Sequence, residues 1–183
     1  MAPWFNVRKA AQVAAFFAIK ERGEINVLKL VKLMYLSDRR FMEMYDVPIL
    51  HDRLVSMPHG PVNSLSYNYI SGAEEDAEWS AILCDGARHM VGLSQPNLSE
   101  ADLDELSKAE VRVLQTIWDE LGHMDRFALR DYTHENCPEW EDPNGSSATI
   151  PYSRVFNYLR KDNSVELEDR IISERQVAAI FAE

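Results

Sequence analysis

The groups with which this chain could do chemistry are five histidines (His51, His59, His89, His123 and His134), two cysteines (Cys84 and Cys137) and a surplus of carboxylates. Metal catalysis needs ligands that converge, as two histidines one helical turn apart do, and no such spacing occurs. His134 and Glu135 are adjacent, which turns them to diverging faces of a helix. Cys137 could act as a nucleophile only with a histidine brought from elsewhere in the fold, and nothing local supplies one. The seven glycines are scattered at the ends of segments, so no loop is built to cradle a phosphate. No catalytic residue, metal ligand or cofactor is expected, and the chain reads as a non-enzyme.

Recognition is a better use for the run from Lys32 to Val62, KLMYLSDRRFMEMYDVPILHDRLVSMPHGPV. Asp38 lies one turn after Tyr35, and a buried acid in that place needs a partner. Arg53 or backbone donors of the following extended segment could clamp it; the alternative is direct contact with a partner protein. Arg39 and Arg40 follow, and helical spacing turns at least one of them outward, where arginine is frequent among interface hot spots. Pro58 and Pro61 then fix two backbone angles while Gly60 permits a sharp turn between them. That corner is either a rigid hand-over to the next helix or a pre-ordered face displaying Met57 and His59. The candidate partner-binding residues are Asp38, Arg39, Arg53, Met57, His59 and Tyr67; Tyr35, Pro58, Gly60, Pro61 and Trp140 are candidate structural residues.

Helices must position most of these groups. A first helix is expected over residues 7–22, capped by Asn6 and stopped by Gly23, with Phe16 and Phe17 facing inward. Asn26 caps a second, reaching residue 45, whose apolar stripe is so wide that it must be buried on more than one side. An extended segment over 49–56 leads to a helix over 62–70, with Pro61 at its first position and Gly72 at its stop. Glu74, Glu75, Asp76 and Glu78 read as an exposed acidic linker. Asp85-Gly86 between 79–84 and 88–93 signals a hairpin turn. Ser107 and Glu110 form a capping box for a helix ending at Gly122. A helix over 125–135, a loop over 138–147 around Trp140, and helices over 152–160 and 165–182 complete the chain. The fold expected is mainly α: one compact helical domain over 1–183 with a small β-hairpin or extended segment.

The whole chain sets further bounds. Its 183 residues, 46% hydrophobic and 10% aromatic, suit one globular domain. No signal peptide and no membrane-length apolar segment is read, so two reduced thiols in the cytoplasm are expected. The formal net charge is −11 and is unevenly spread: residues 1–60 are net +3 and residues 61–183 are net −14. An acidic molecule repels phosphate backbones and steers a basic partner towards its acidic part. DNA binding survives only as a short helix-turn-helix in the first two helices, where Arg8, Lys9, Lys29 and Lys32 lie.

YLSDRRFMEMYDVPI and MPHGPV at this spacing, with LSKAEVRVLQTIWDELG followed by ALRDYTHENCPEW, resemble the Panacea domain, or SocA-like antitoxin domain. The likeness covers approximately residues 7–160. It departs from the family's proline-alanine-tryptophan pattern at Pro138-Glu139-Trp140, where glutamate stands in place of the alanine. The resemblance implies an antitoxin that binds a cognate toxin directly, in an operon where such toxins often act on translation. Alternatively it implies an adaptor delivering the toxin to a ClpXP-type protease, or an operon-autoregulating DNA-binding protein. The oligomeric state is left open.

Overall fold

A computed structural model describes residues 2–181. Helix α1 (Val7–Lys20) is capped by Asn6, whose Oδ1 accepts from the Lys9 N–H at 2.8 Å. It buries Ala10 to Ala18 without a break, because alanines let its neighbours approach on all sides. The helix stops two residues before the expected end. Arg22 at φ 68° shares the left-handed exit with Gly23, whose N–H reaches back to the Ala18 carbonyl at 2.8 Å.

A strand not expected from the sequence, β1 (Glu24–Asn26), follows, and Asn26 then caps α2 (Val27–Tyr45) through the Leu28 N–H. The wide stripe of α2 is buried against α1 and, further along the chain, α5 (Lys108–Leu121), α6 (Arg126–Asn136) and strand β3 (Gly60–Asn63). It is the central element.

Strand β2 (Leu54–Met57) pairs antiparallel with β3, Met57 opposite Gly60, so Pro58-His59 is a two-residue hairpin turn. Residues 61–63 are therefore strand, and the expected helix begins only at Ser64, as α3 (Ser64–Ile70). Pro61 lies in the outer strand of the sheet, where its missing N–H breaks no ladder bond. Asp76 caps α4 (Ala77–Ile82), so the expected acidic linker and first hairpin arm are partly helical. β4 (Leu83–Gly86) and β5 (Met90–Leu93) do form a hairpin, but Asp85 and Gly86 are strand residues and the turn is Ala87-Arg88-His89. The register moved because β1 holds β5 from the other side, Asn26 opposite Met90, with Val27 donating to the His89 carbonyl.

After a 3-10 turn (Glu100–Asp102), α5 opens on the Ser107–Glu110 capping box and closes at Gly122. Asp125 caps α6. The loop around Trp140 leads to β6 (Ala148–Thr149), which pairs with β2 and gives sheet order β3-β2-β6 beside β1-β5-β4. Helix α7 (Tyr152–Tyr158) ends before the expected residue 160, and α8 (Ser164–Phe181) packs on it. The expected last residue of that helix, Ala182, lies outside the described residues. The molecule is mainly α with two small antiparallel sheets.

Candidate functional site

The β2–β3 hairpin is seated by groups from three elements. Gly60, at φ 98°, occupies a place where a side chain cannot go: a Cβ would lie 2.7 Å from Thr133 Oγ1 and 3.0 Å from Lys32 Nζ. Lys32, 1% exposed, donates from Nζ to the Pro61 carbonyl at 2.9 Å. Burial lowers its pKa to about 7. Trp140 Nε1 donates to the Met57 carbonyl at 2.9 Å, and its ring stacks on His134 at 4.1 Å. The hairpin is thus locked to α2 and to the loop after α6, which joins the two stretches of chain that carry the motifs.

Behind the hairpin lies a buried charge that the sequence presented only as a departure from the family's pattern. Glu139 is 0% exposed; Oε1 accepts from the Tyr35 hydroxyl at 2.7 Å and from Arg39 Nε at 2.7 Å. A buried carboxylate so placed is tolerated because a guanidinium and a hydroxyl replace its water. Cys137, one turn of loop away, is buried, and burial pushes its thiol up to about 12, which disfavours the thiolate. The signal in the sequence was an acid in place of the alanine between Pro138 and Trp140.

Asp38 is also fully buried and holds the chain entering the hairpin. Oδ1 accepts from the Ile49 and Leu50 N–H groups at 2.6 and 3.1 Å, and Oδ2 from Asn63 Nδ2 at 2.7 Å. Burial raises its pKa to about 7 against the opposing pull of those bonds. Its partners are two backbone donors of the extended segment and the Asn63 side chain, and not Arg53. Arg53 is exposed and lies over the Trp4 ring, 5.3 Å from its centre. Asp52, which the sequence did not single out, caps α3 from outside by accepting from the Leu65 and Ser66 N–H groups at 2.7 and 2.8 Å.

In front of the hairpin a cavity of about 510 Å³ opens. The first turns of α2 (Val27, Leu28, Val31) and the hairpin (Met57, Pro58, Val62) make its apolar walls, with Tyr67 of α3 and Phe127 of α6 closing it. Lys32, His59, His89 and Arg126 are its basic lining residues. Of the candidate residues, Met57, Pro58, His59 and Tyr67 converge here, while Asp38, Arg39, Tyr35 and Trp140 form the support behind. Arg53 belongs to neither group. Phe127, 49% exposed, was visible in the sequence only as a helical apolar residue.

Among the described residues no cluster of three or more His, Cys, Asp or Glu side chains is placed to hold a metal ion, and no helix is long and apolar enough to cross a membrane. The family model for the antitoxin SocA-like, Panacea domain matches residues 30–141, a span from α2 through the Trp140 loop, and the chain belongs to that family. No curated protein and no solved structure matches it.

Proposed function

We propose that this chain is an antitoxin that neutralises a cognate toxin by direct protein–protein binding, with no chemical step of its own. The observation that carries the proposal is the family match, whose span includes α2, the hairpin and its Trp140 lock. The pre-ordered hairpin supports it, since a corner fixed by Lys32 and Trp140 loses little entropy on docking. Arg39, Met57, His59 and Tyr67 around the hairpin, and the exposed Arg53, are the proposed contact candidates. The acid surplus of residues 61–183 suits a basic toxin, such as one acting on translation. Against the DNA-binding alternative, Arg8, Lys9 and Lys29 are each paired with a carboxylate (Asp104, Glu110 and Glu21) and Lys32 is buried.

Co-expression with the adjacent gene tests the proposal. The neighbour alone should stop growth, the pair should restore it, and the two proteins should co-purify; failure of both rescue and co-purification rejects the reading. Protection that persists in cells lacking a ClpXP-type protease identifies stoichiometric inhibition, and protection lost there identifies delivery.

A further inference from the structure

We infer that the cavity in front of the hairpin binds a small organic monoanion: a carboxylate that sits on Lys32 Nζ, carried by an apolar aliphatic or aromatic body lying between Val27, Val31, Val62 and Phe127. The inference is independent of the antitoxin reading. Its first support is an inventory of charge. The chain has thirty Asp and Glu residues, yet among the described residues none of them lines this cavity, whereas Lys32, His59, His89 and Arg126 all do. A basic hollow on so acidic a chain is not a by-product of composition.

The second support is unfinished hydrogen bonding. A lysine ammonium carries three donors. Lys32 Nζ is buried and, among the described residues, meets one acceptor, the Pro61 carbonyl. Burying donors without partners costs free energy, and a carboxylate entering the cavity satisfies them. Two helices also begin at its wall, α2 at Val27 and α6 at Arg126; the positive end of the α2 dipole favours an anion there, whereas that of α6 already carries the Asp125 carboxylate. Their caps, Asn26 and Asp125, already occupy the Leu28, Phe127 and Ala128 N–H groups, which leaves the side-chain nitrogens to bind.

Size and lining select the ligand class. A cavity of about 510 Å³ with mostly apolar walls and a few polar groups fits a small molecule. One buried cation matches one negative charge, and the scattered glycines provide no loop for a phosphate.

The test is titration of the full chain, by calorimetry or by NMR, with hexanoate, 4-phenylbutyrate and indole-3-acetate, each beside its uncharged amide. At least one acid should saturate the site and bind at least about tenfold more tightly than its amide, as expected for a charge-assisted bond. Lys32→Met should abolish that preference. Should Lys32→Met fold poorly, Val27→Phe, at the half-buried mouth, should block the acid by filling the cavity. The inference is overturned if acid and amide bind alike, if all three acids fail to saturate the site at millimolar concentration, or if the acid preference survives Lys32→Met. It is also overturned if a peptide ending in a free leucine carboxylate outcompetes every acid, because the occupant is then a protein terminus.

Discussion

Gly60 has two independent reasons to lack a side chain, and they make different contributions. The backbone at φ 98° is strained for any L-residue, and a Cβ would press on Thr133 Oγ1 and Lys32 Nζ. Gly60→Ala should therefore cost about 2–3 kcal/mol, read as a fall in denaturant midpoint. Glu139→Gln should cost a similar amount, about 2–3 kcal/mol, because the partly buried Arg39 loses its counter-charge. The two buried titrating groups predict opposite pH slopes. The folded-state pKa of Lys32, about 7, is below its ordinary 10.5, so the unfolded chain holds more protons between those values and stability rises with pH there. Asp38 is displaced the other way, from 3.8 to about 7, so its contribution is full at acid pH and lost as pH rises to about 7. Lys32→Met should flatten the alkaline limb and Asp38→Asn the acid limb, each by up to about 1.4 kcal/mol per pH unit in equilibrium unfolding. Asp38 and Gly60 stood out in the sequence. Glu139 did not, because its meaning depends on Tyr35 and Arg39 arriving from more than ninety positions earlier in the chain, at hydrogen-bond separations of 100 and 104.

At the scale of elements, local chemistry was legible and long-range pairing was not. Asn6, Asn26 and the Ser107–Glu110 box act within one turn, and each caps the helix that the sequence assigned to it. Pro61 misled, because a proline favours both the first helical position and the edge of a sheet; pairing of Ser56 with Pro61 decided between them. Asp85-Gly86 misled because the register of β5 is set by β1, whose paired residues lie 64 to 68 positions earlier in the chain. The β2–β3 hairpin depends on an element far from it in sequence. Trp140→Phe keeps an aromatic ring beside His134 but removes the bond to the Met57 carbonyl, a loss of about 1 kcal/mol. Hydrogen exchange should show protection falling first at residues 54–63, with α1 and α2 unaffected.

Taken as a whole molecule, the chain has a large acid excess, yet no described acidic residue lines the cavity in front of the hairpin. If the acidic part steers a basic toxin, association should slow by about tenfold or more between 50 mM and 500 mM salt, while dissociation changes little. A toxin association rate indifferent to salt would remove charge from the account of recognition. Net charge and the wide stripe of α2 were both legible in composition and periodicity, and they fix a mainly helical, acidic domain built round one helix. The cavity was not legible, because its lining comes from α2, the hairpin, α3, α6 and the β4–β5 turn, which only the folded chain brings together.

The lysine seated on Pro61 also governs how any protein can approach the hairpin. β3 is the outer strand of its sheet, and a free outer strand invites an extended peptide to zip alongside through main-chain bonds. At Pro61 the nitrogen has no hydrogen to offer and the carbonyl oxygen is already held by Lys32. Strand addition is therefore closed off at that margin. A partner reading this face uses its shape and side chains and cannot extend the sheet along β3, which gives the buried strand beside the exposed Pro58-His59 turn a built-in guard against indiscriminate pairing.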